Sequence, residues 1–255
     1  MDRTVEPAPV PAVPSGRVAV VTGASRGLGA GLAARFAEAG LTLGLAARTR
    51  PEPPPGARGL TVEVDVADAG EVDRFCAEVV DRFGRIDLWV NNAGLLEPIA
   101  PLRDADPLAV RANVEVNVLG VMHGSASFAR HVRSRPGGGV LVNITSGAAS
   151  SPYAGWAAYC GSKAAVDQVT RVVALEEAEA GLRVHAVAPG VVDTDMQAAI
   201  RATPADRFPA VERFRDLARD DAFNSPAWVG DHILALAFGD GGRGDVVQRV
   251  PDEPR

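Results

Sequence analysis

The chain has 255 residues, is 47% apolar and carries a net charge of −6, which suits one large α/β domain with a substantial core. The acidic balance argues against nucleic-acid or anionic-membrane partners, since both are held by clustered positive charge. No apolar run approaches the ~20 residues of a membrane span, and no basic segment followed by an apolar stretch marks a secretory signal, so a cytoplasmic location is expected.

Residues 1–15, with Pro7, Pro9, Pro11 and Pro14 among alanines and valines, lack periodicity and are expected to form a disordered tail before a single domain over 16–255. Residues 17–22 read as a buried strand. A glycine-rich turn follows, then a helix with Leu28, Leu32 and Phe36 on one face, closed by Gly40. Apolar runs at 41–47, 60–64, 86–90, 140–144, 184–188 and 246–250 bring the strands to seven, separated mostly by helical patterns. Asp106-Pro107 and Ser225-Pro226 each pair an N-cap with a first-turn proline and open two of those helices. Near-continuous apolar strands between helices predict an α/β fold, a doubly wound parallel sheet with helices on both faces. The crossover at 48–59 departs from this pattern, because Pro51, Pro53, Pro54 and Pro55 exclude an ordinary helix. Cys76 and Cys160 read as packed thiols in helices, and Trp89 and Trp228 as packing anchors.

Two local patterns carry chemistry. Between the first strand and helix, Thr22-Gly23-Ala24-Ser25-Arg26-Gly27-Leu28-Gly29 lets the backbone approach a pyrophosphate at the positive end of a helix. The second pattern is cationic: the chain has 25 arginines and one lysine, Lys163, four residues after Tyr159. On a helix these two share a face. A compact ammonium beside a phenol favours the phenolate, which predicts a lowered Tyr159 pKa and a usable proton donor and acceptor.

These motifs, in this order over residues 16–250, resemble the short-chain dehydrogenases/reductases, NAD(P)-dependent oxidoreductases on a seven-stranded Rossmann-type sheet. The resemblance implies that Gly23, Ser25, Arg26, Gly27, Leu28 and Gly29 form the dinucleotide turn and that Asp65 and Val66 contact adenine. Asn91-Asn92-Ala93-Gly94 would support the sheet and line the cofactor groove. Pro189, Gly190, Val192 and Thr194 would pack on the nicotinamide and hold its carboxamide. The implied catalytic set is Asn117, Ser146, Tyr159 and Lys163. Tyr159 would exchange a proton with the carbonyl or alcohol, and Lys163 would hold the nicotinamide ribose. Ser146 would bind the oxygen where charge develops, and Asn117, in the helix after the fourth strand, would position a water linking Lys163 to bulk.

At the end of the second strand, Ala46-Ala47-Arg48-Thr49-Arg50 contains no acid for a ribose 2′-hydroxyl, and Arg48 and Arg26 suit a 2′-phosphate. NADP(H) is therefore expected, with NAD(H) as the second option; Thr49 is a further contact, and Arg50 and Arg58 are left open. Leu95, Leu96, Tyr153, Trp156 and Met196 are candidate pocket walls for an apolar carbonyl compound. Segments 95–99, 191–197 and 250–253 are similar to the benzil reductase and sepiapterin reductase branch, whose members reduce one carbonyl of a vicinal dicarbonyl. His185 replaces the asparagine common in the family and reads as structural, while His123, His131 and His232 show no metal-ligand spacing. The alternatives weighed are a nucleotide-sensing protein without catalysis, an epimerase or dehydratase of the longer related branch, and an alcohol dehydrogenase working oxidatively on a steroid-like or secondary-metabolite substrate. By resemblance, the small residues around Tyr159 pair with a symmetry mate in a homodimer or homotetramer.

Overall fold

The computed structural model of the protein describes residues 11–239 and 245–254. Most of the expected tail, residues 1–10, lies outside the described residues; residues 11–15 are irregular, and Val13 packs against the core. Seven strands form one parallel sheet: β1 (Val18–Thr22), β2 (Thr42–Ala47), β3 (Gly59–Glu63), β4 (Leu88–Asn91), β5 (Gly139–Ile144), β6 (Leu182–Ala188) and β7 (Val247–Arg249). Their spatial order is β3-β2-β1-β4-β5-β6-β7. All seven predicted strands are present, with ends moved by one or two residues; Ile86, for example, precedes β4.

The two-residue repeat of the strands divides their apolar side chains between two cores. Ala19, Val21, Leu43, Leu45, Val90 and Val142 face one layer, formed by α1 (Gly27–Glu38) and α8 (Pro226–Phe238) through Leu32, Phe36, Val229 and Ile233. Val18, Val20, Trp89 and Leu141 face the other, where α2 (Ala69–Phe83) and α4 (Gly120–Arg133) contribute Phe75, Val79, Phe128 and Val132. Trp89 lies between Phe75 and Phe128, with ring centroids 6.0 and 5.9 Å away. Trp228 anchors the other layer, its Nε1 donating to Pro251 O at 2.9 Å.

Both predicted caps form. Asp106 accepts from Leu108 N at 3.0 Å at the start of α3 (Pro107–Val114), and Ser225 Oγ accepts from Trp228 N at 3.1 Å at the start of α8. A π-helical turn, Glu115–Leu119, joins α3 to α4 and contains Asn117. Between β2 and β3 the chain makes no helix, as the prolines require, and β3 is left as a half-buried edge strand. From β1 the sheet is built outward in both directions, so successive crossovers diverge and leave a crevice at the C-terminal ends of β1 and β4.

A buried polar network fixes the centre of the sheet beneath that crevice. Asn91 Oδ1 accepts from Trp89 Nε1 at 2.7 Å, and its Nδ2 donates to Asn143 Oδ1 at 2.9 Å. Asn143 Nδ2 in turn donates to Thr170 Oγ1 at 3.0 Å on α5 (Ala157–Glu176). Asn91→Leu strands Trp89 Nε1 and Asn143 Oδ1 without water, at ~1–3 kcal/mol for each unsatisfied group. A loss of about 2–6 kcal/mol is expected in urea unfolding, and a stability equal to the parent's would exclude this account.

Candidate active site

A cavity of about 860 Å³ crosses the C-terminal ends of the strands, from the turn after β1 to a lobe made by α6 (Asp195–Ala202) and α7 (Val211–Arg219). It is lined at one end by Gly23, Ser25, Arg26, Gly27, Leu28 and Gly29, with Arg48 and Thr49 after β2 and Asp65 and Val66 after β3. Asn92, Ala93 and Gly94 after β4 continue the wall, and Pro189, Gly190, Val192 and Thr194 after β6 complete it. All the nucleotide contacts predicted from the sequence thus share one cavity. Arg50 and Arg58 are not among its lining residues; Arg58 lies over the Phe83 ring at 5.6 Å.

The glycine turn is shaped to receive an anion. The N-cap of α1, Arg26, makes no side-chain hydrogen bond to the helix, so no side chain caps its leading N–H groups, and they face the cavity end. A Cβ on Gly29 would stand 2.2 Å from Gly23 O and 2.5 Å from Asn92 Nδ2, so only glycine permits this approach. Thr22 Oγ1 accepts from Asn92 N at 3.0 Å and Ala93 N at 3.2 Å, while Asn92 Nδ2 donates to Thr22 O at 2.9 Å and Gly23 O at 3.3 Å. Across the crevice, Gly190 has φ +77°, and Asn224 Nδ2 donates to Pro189 O at 2.9 Å and Pro251 O at 3.2 Å. The sequence reading missed Asn224. Its only sequence signal is its place directly before the Ser225-Pro226 cap.

Ser146, Tyr159 and Lys163 also line the cavity, at the end of β5 and on the facing turns of α5. Tyr159 is 8% exposed and Lys163 5%. Lys163 Nζ donates to Ile144 O at 2.9 Å and lies 5.8 Å from the centre of the Tyr159 ring. Burial lowers the Lys163 pKa to about 8, opposed by the charge of Asp167 one turn along the helix. The expectation that Tyr159 is acidified by Lys163 is corrected here. Burial holds the phenol above its ordinary value, and only a hydrogen bond with Ser146 pulls it down. At 5.8 Å from the ring, against an uncharged phenol already removed from water, the ammonium does not offset that desolvation.

Asn117 is placed differently from the other three. It is fully buried in the π-helical turn and does not line the cavity. Its Oδ1 accepts from Leu95 N at 2.7 Å, and its Nδ2 donates to Leu95 O at 2.8 Å, Ser162 Oγ at 3.0 Å and Asn113 Oδ1 at 3.1 Å. The side chain therefore ties the segment after β4 to α5 beside Lys163. Asn113, unmentioned by the sequence reading, supports the same segment by donating to Leu95 O at 3.1 Å and Glu97 O at 2.8 Å.

The predicted walls Leu95, Leu96, Tyr153, Trp156 and Met196 all line the cavity. Trp156 stacks on Phe208 at 4.4 Å and meets Tyr159 edge-on at 5.5 Å, with Phe214 at 5.4 Å and Tyr153 at 5.0 Å. Phe208 and Phe214 escaped the sequence reading, although Phe208, Val211 and Phe214 recur every third residue and are buried together. His185 is buried, its Nδ1 3.3 Å from Gln248 Nε2, away from the cavity lining. Cys76 and Cys160 are free thiols.

Comparison with known proteins agrees with this geometry. The family model described as short chain dehydrogenase matches residues 17–205. Benzil reductase ((S)-benzoin forming) of Bacillus subtilis (strain 168) is 34% identical over 225 residues, covering 85% of this chain and 91% of that protein. Cis-4-hydroxycyclohexanecarboxylate dehydrogenase of Sinomonas cyclohexanicum is 37% identical, covering 89% and 96%. Among solved structures, the KRED1-Pglu enzyme superposes with a TM-score of 0.77 at 34% identity, covering 90% and 96%, and levodione reductase with 0.83 at 26%, covering 93% and 96%.

Burying an ammonium costs stability, and its pH dependence follows from the pKa of about 8. Below pH 8 folded and unfolded chains both hold the Lys163 proton, so the full cost stands. Between about 8 and the ordinary lysine value the unfolded chain binds more protons, so parent stability gains from this group as pH rises. Lys163→Met should accordingly raise the thermal midpoint at pH 7, with the advantage shrinking by pH 10. A lower midpoint at pH 7 would contradict this reading of Lys163.

Proposed function

The chain belongs to the short-chain dehydrogenase/reductase family, and we propose that it is an NADP(H)-dependent enzyme that reduces a ketone or vicinal dicarbonyl to an alcohol. The observation that carries this reading is a single cavity with a helix N-terminus and glycine cradle at one end and Ser146, Tyr159 and Lys163 at the other. Because a Cβ on Gly29 would collide with Gly23 O and Asn92 Nδ2, the turn sits tight against the end of β4, and the uncapped start of α1 beside it fits a dinucleotide pyrophosphate. Gly23, Ser25 and Gly27 would surround the phosphates, Asp65 and Val66 the adenine, and Pro189, Gly190, Val192 and Thr194 the nicotinamide. When bound, the dinucleotide supplies the hydride.

The chain's own residues manage one proton and one developing charge. Tyr159, kept protonated at neutral pH by burial, gives its proton to the substrate oxygen as negative charge grows there. Ser146 donates a hydrogen bond to that same oxygen. Lys163 spends one N–H on Ile144 O and has two left for ribose hydroxyls. Asn117 holds the wall beside Lys163, where a water can return a proton to the site. Reduction uses the phenol of Tyr159 as acid and oxidation uses its phenolate as base. The same residues serve either direction by microscopic reversibility.

Arg48 supports NADP(H). It is exposed after β2 with no carboxylate in ion-pair reach among the described residues, whereas Arg26 shares its charge with Asp195 at 3.4 Å. The similarity to benzil reductase and the aromatic walls favour an aryl dicarbonyl. The exposed Val172 and Leu175 of α5 fit a homo-oligomer contact.

Benzil with NADPH is the direct test. Tyr159→Phe should lower kcat/KM about 100-fold or more, with a nucleotide Kd near the parent's. Equal rates would remove Tyr159 from the mechanism. With the parent, the rate should hold through neutral pH and fall as pH rises past about 8, where Lys163 and then Tyr159 lose their protons. A rate of reduction that climbs across that range would remove the protonated Tyr159 as donor. Arg48→Ala should cut the preference for NADPH over NADH about tenfold. An unaltered preference would place the 2′-phosphate elsewhere.

A further inference from the structure

We propose that Arg213 selects carbonyl substrates carrying a carboxylate remote from the reacting carbon. The proposal rests on the reductase reading above and concerns the far end of the same cavity. Arg213, on α7, lines that cavity beyond the aromatic box. Its NH1 donates to Tyr153 OH at 2.9 Å, Tyr153 packs on Trp156, and Trp156 on Tyr159. The guanidinium thus lies two aromatic rings from the proton donor.

Its charge is uncompensated where its neighbours' charges are not. On the same helix Arg215 pairs with Glu212 at 2.5 Å and Arg219 with Asp216 at 3.0 Å. Along the cavity Arg26 pairs with Asp195, Arg249 with Asp252 at 3.3 Å, and Glu97 Oε2 accepts from Ile99 N at 3.2 Å. Among the described residues no carboxylate lies within ion-pair distance of Arg213, and only one of its five N–H donors is used by the protein. A guanidinium already oriented by Tyr153 presents a fork that fits a carboxylate, at a wall otherwise apolar. An anion next to the reacting carbonyl would not reach it across Trp156 and Tyr153. A carboxylate held remote from that carbonyl, across an aromatic spacer, is the one this guanidinium would meet.

The test compares para-acetylbenzoate with its methyl ester, following NADPH oxidation at low ionic strength, with binding read in parallel from quenching of tryptophan fluorescence. For the parent, kcat/KM should favour the acid about tenfold, and added salt should erode the ratio. Arg213→Gln should bring the ratio close to one and weaken binding of the acid about tenfold, and Arg213→Lys should retain part of the preference. A parent ratio near one, or a ratio unchanged in Arg213→Gln, overturns the proposal. Acid that binds in an Arg213-dependent way without turnover of either compound would keep the anion site and sink the reductase reading. Equal reduction and equal binding of both would do the opposite.

Discussion

One threonine hydroxyl holds the two halves of the crevice in register. Thr22 Oγ1, at the end of β1, accepts from the backbone of Asn92 and Ala93 at the end of β4, and Asn92 returns two bonds to Thr22 O and Gly23 O. The glycine turn that would receive the phosphates and the segment leading to Gly94 and Leu95 are therefore one rigid piece. From Leu95 the connection continues through Asn117 to Ser162, the residue before Lys163. A few buried polar contacts thus set the distance between the phosphate cradle and the proton-transfer groups. Their burial makes each contact costly to break and so well defined in geometry.

The single lysine follows from that same burial. At 5% exposure, with Ile144 O as its hydrogen-bond acceptor from the protein, the site must take a cation whose donors can be few and whose bulk is small. An arginine would bring five donors in a fixed plane, most of them without acceptors at this position. Many of the chain's arginines instead lie near the surface in ion pairs with carboxylates, as at Asp87, where Arg17 and Arg85 converge. The cost of the buried ammonium appears in its lowered pKa, and the charge of Asp167 limits that cost.

Strand positions, the helix-free second crossover, the two proline caps and the lining at the glycine-turn end of the cavity were legible in the sequence, because each rests on local rules. Apolar runs, proline geometry and glycine turns act within a few residues of themselves. The electrostatic state of Tyr159 was not legible. The i, i+4 spacing from Lys163 is a local fact, but desolvation depends on what Trp156, Phe208 and Phe214 pack around the phenol. Asn117 was found by position while its contacts were not, because the π-helical turn that presents it to Leu95 and Ser162 has no distinct residue pattern. Asn224 and the lobe of α6 and α7 were missed for a related reason: short amphipathic helices between irregular stretches declare themselves only when they close over a cavity.

The distribution of charge around that cavity ties the lobe to the rest of the molecule. A chain with a net charge of −6 would be expected to neutralise cations wherever they occur, and along this cavity it does so for Arg26 and Arg249. Of the described cations that line the cavity, three stay outside ion pairs: Arg48 at the nucleotide end, Lys163 at the centre and Arg213 at the substrate end. Their order follows the cavity from one mouth to the other. Lys163 is held by a backbone carbonyl and Arg213 by a tyrosine hydroxyl, while Arg48 stands exposed at the start of the helix-free crossover after β2. An acidic protein that leaves three cations facing one crevice concentrates its attraction for anions there. Under the proposals above, a phosphorylated dinucleotide and an aromatic keto acid bound side by side would bring negative charge to both ends of the cavity and place the carbonyl between them.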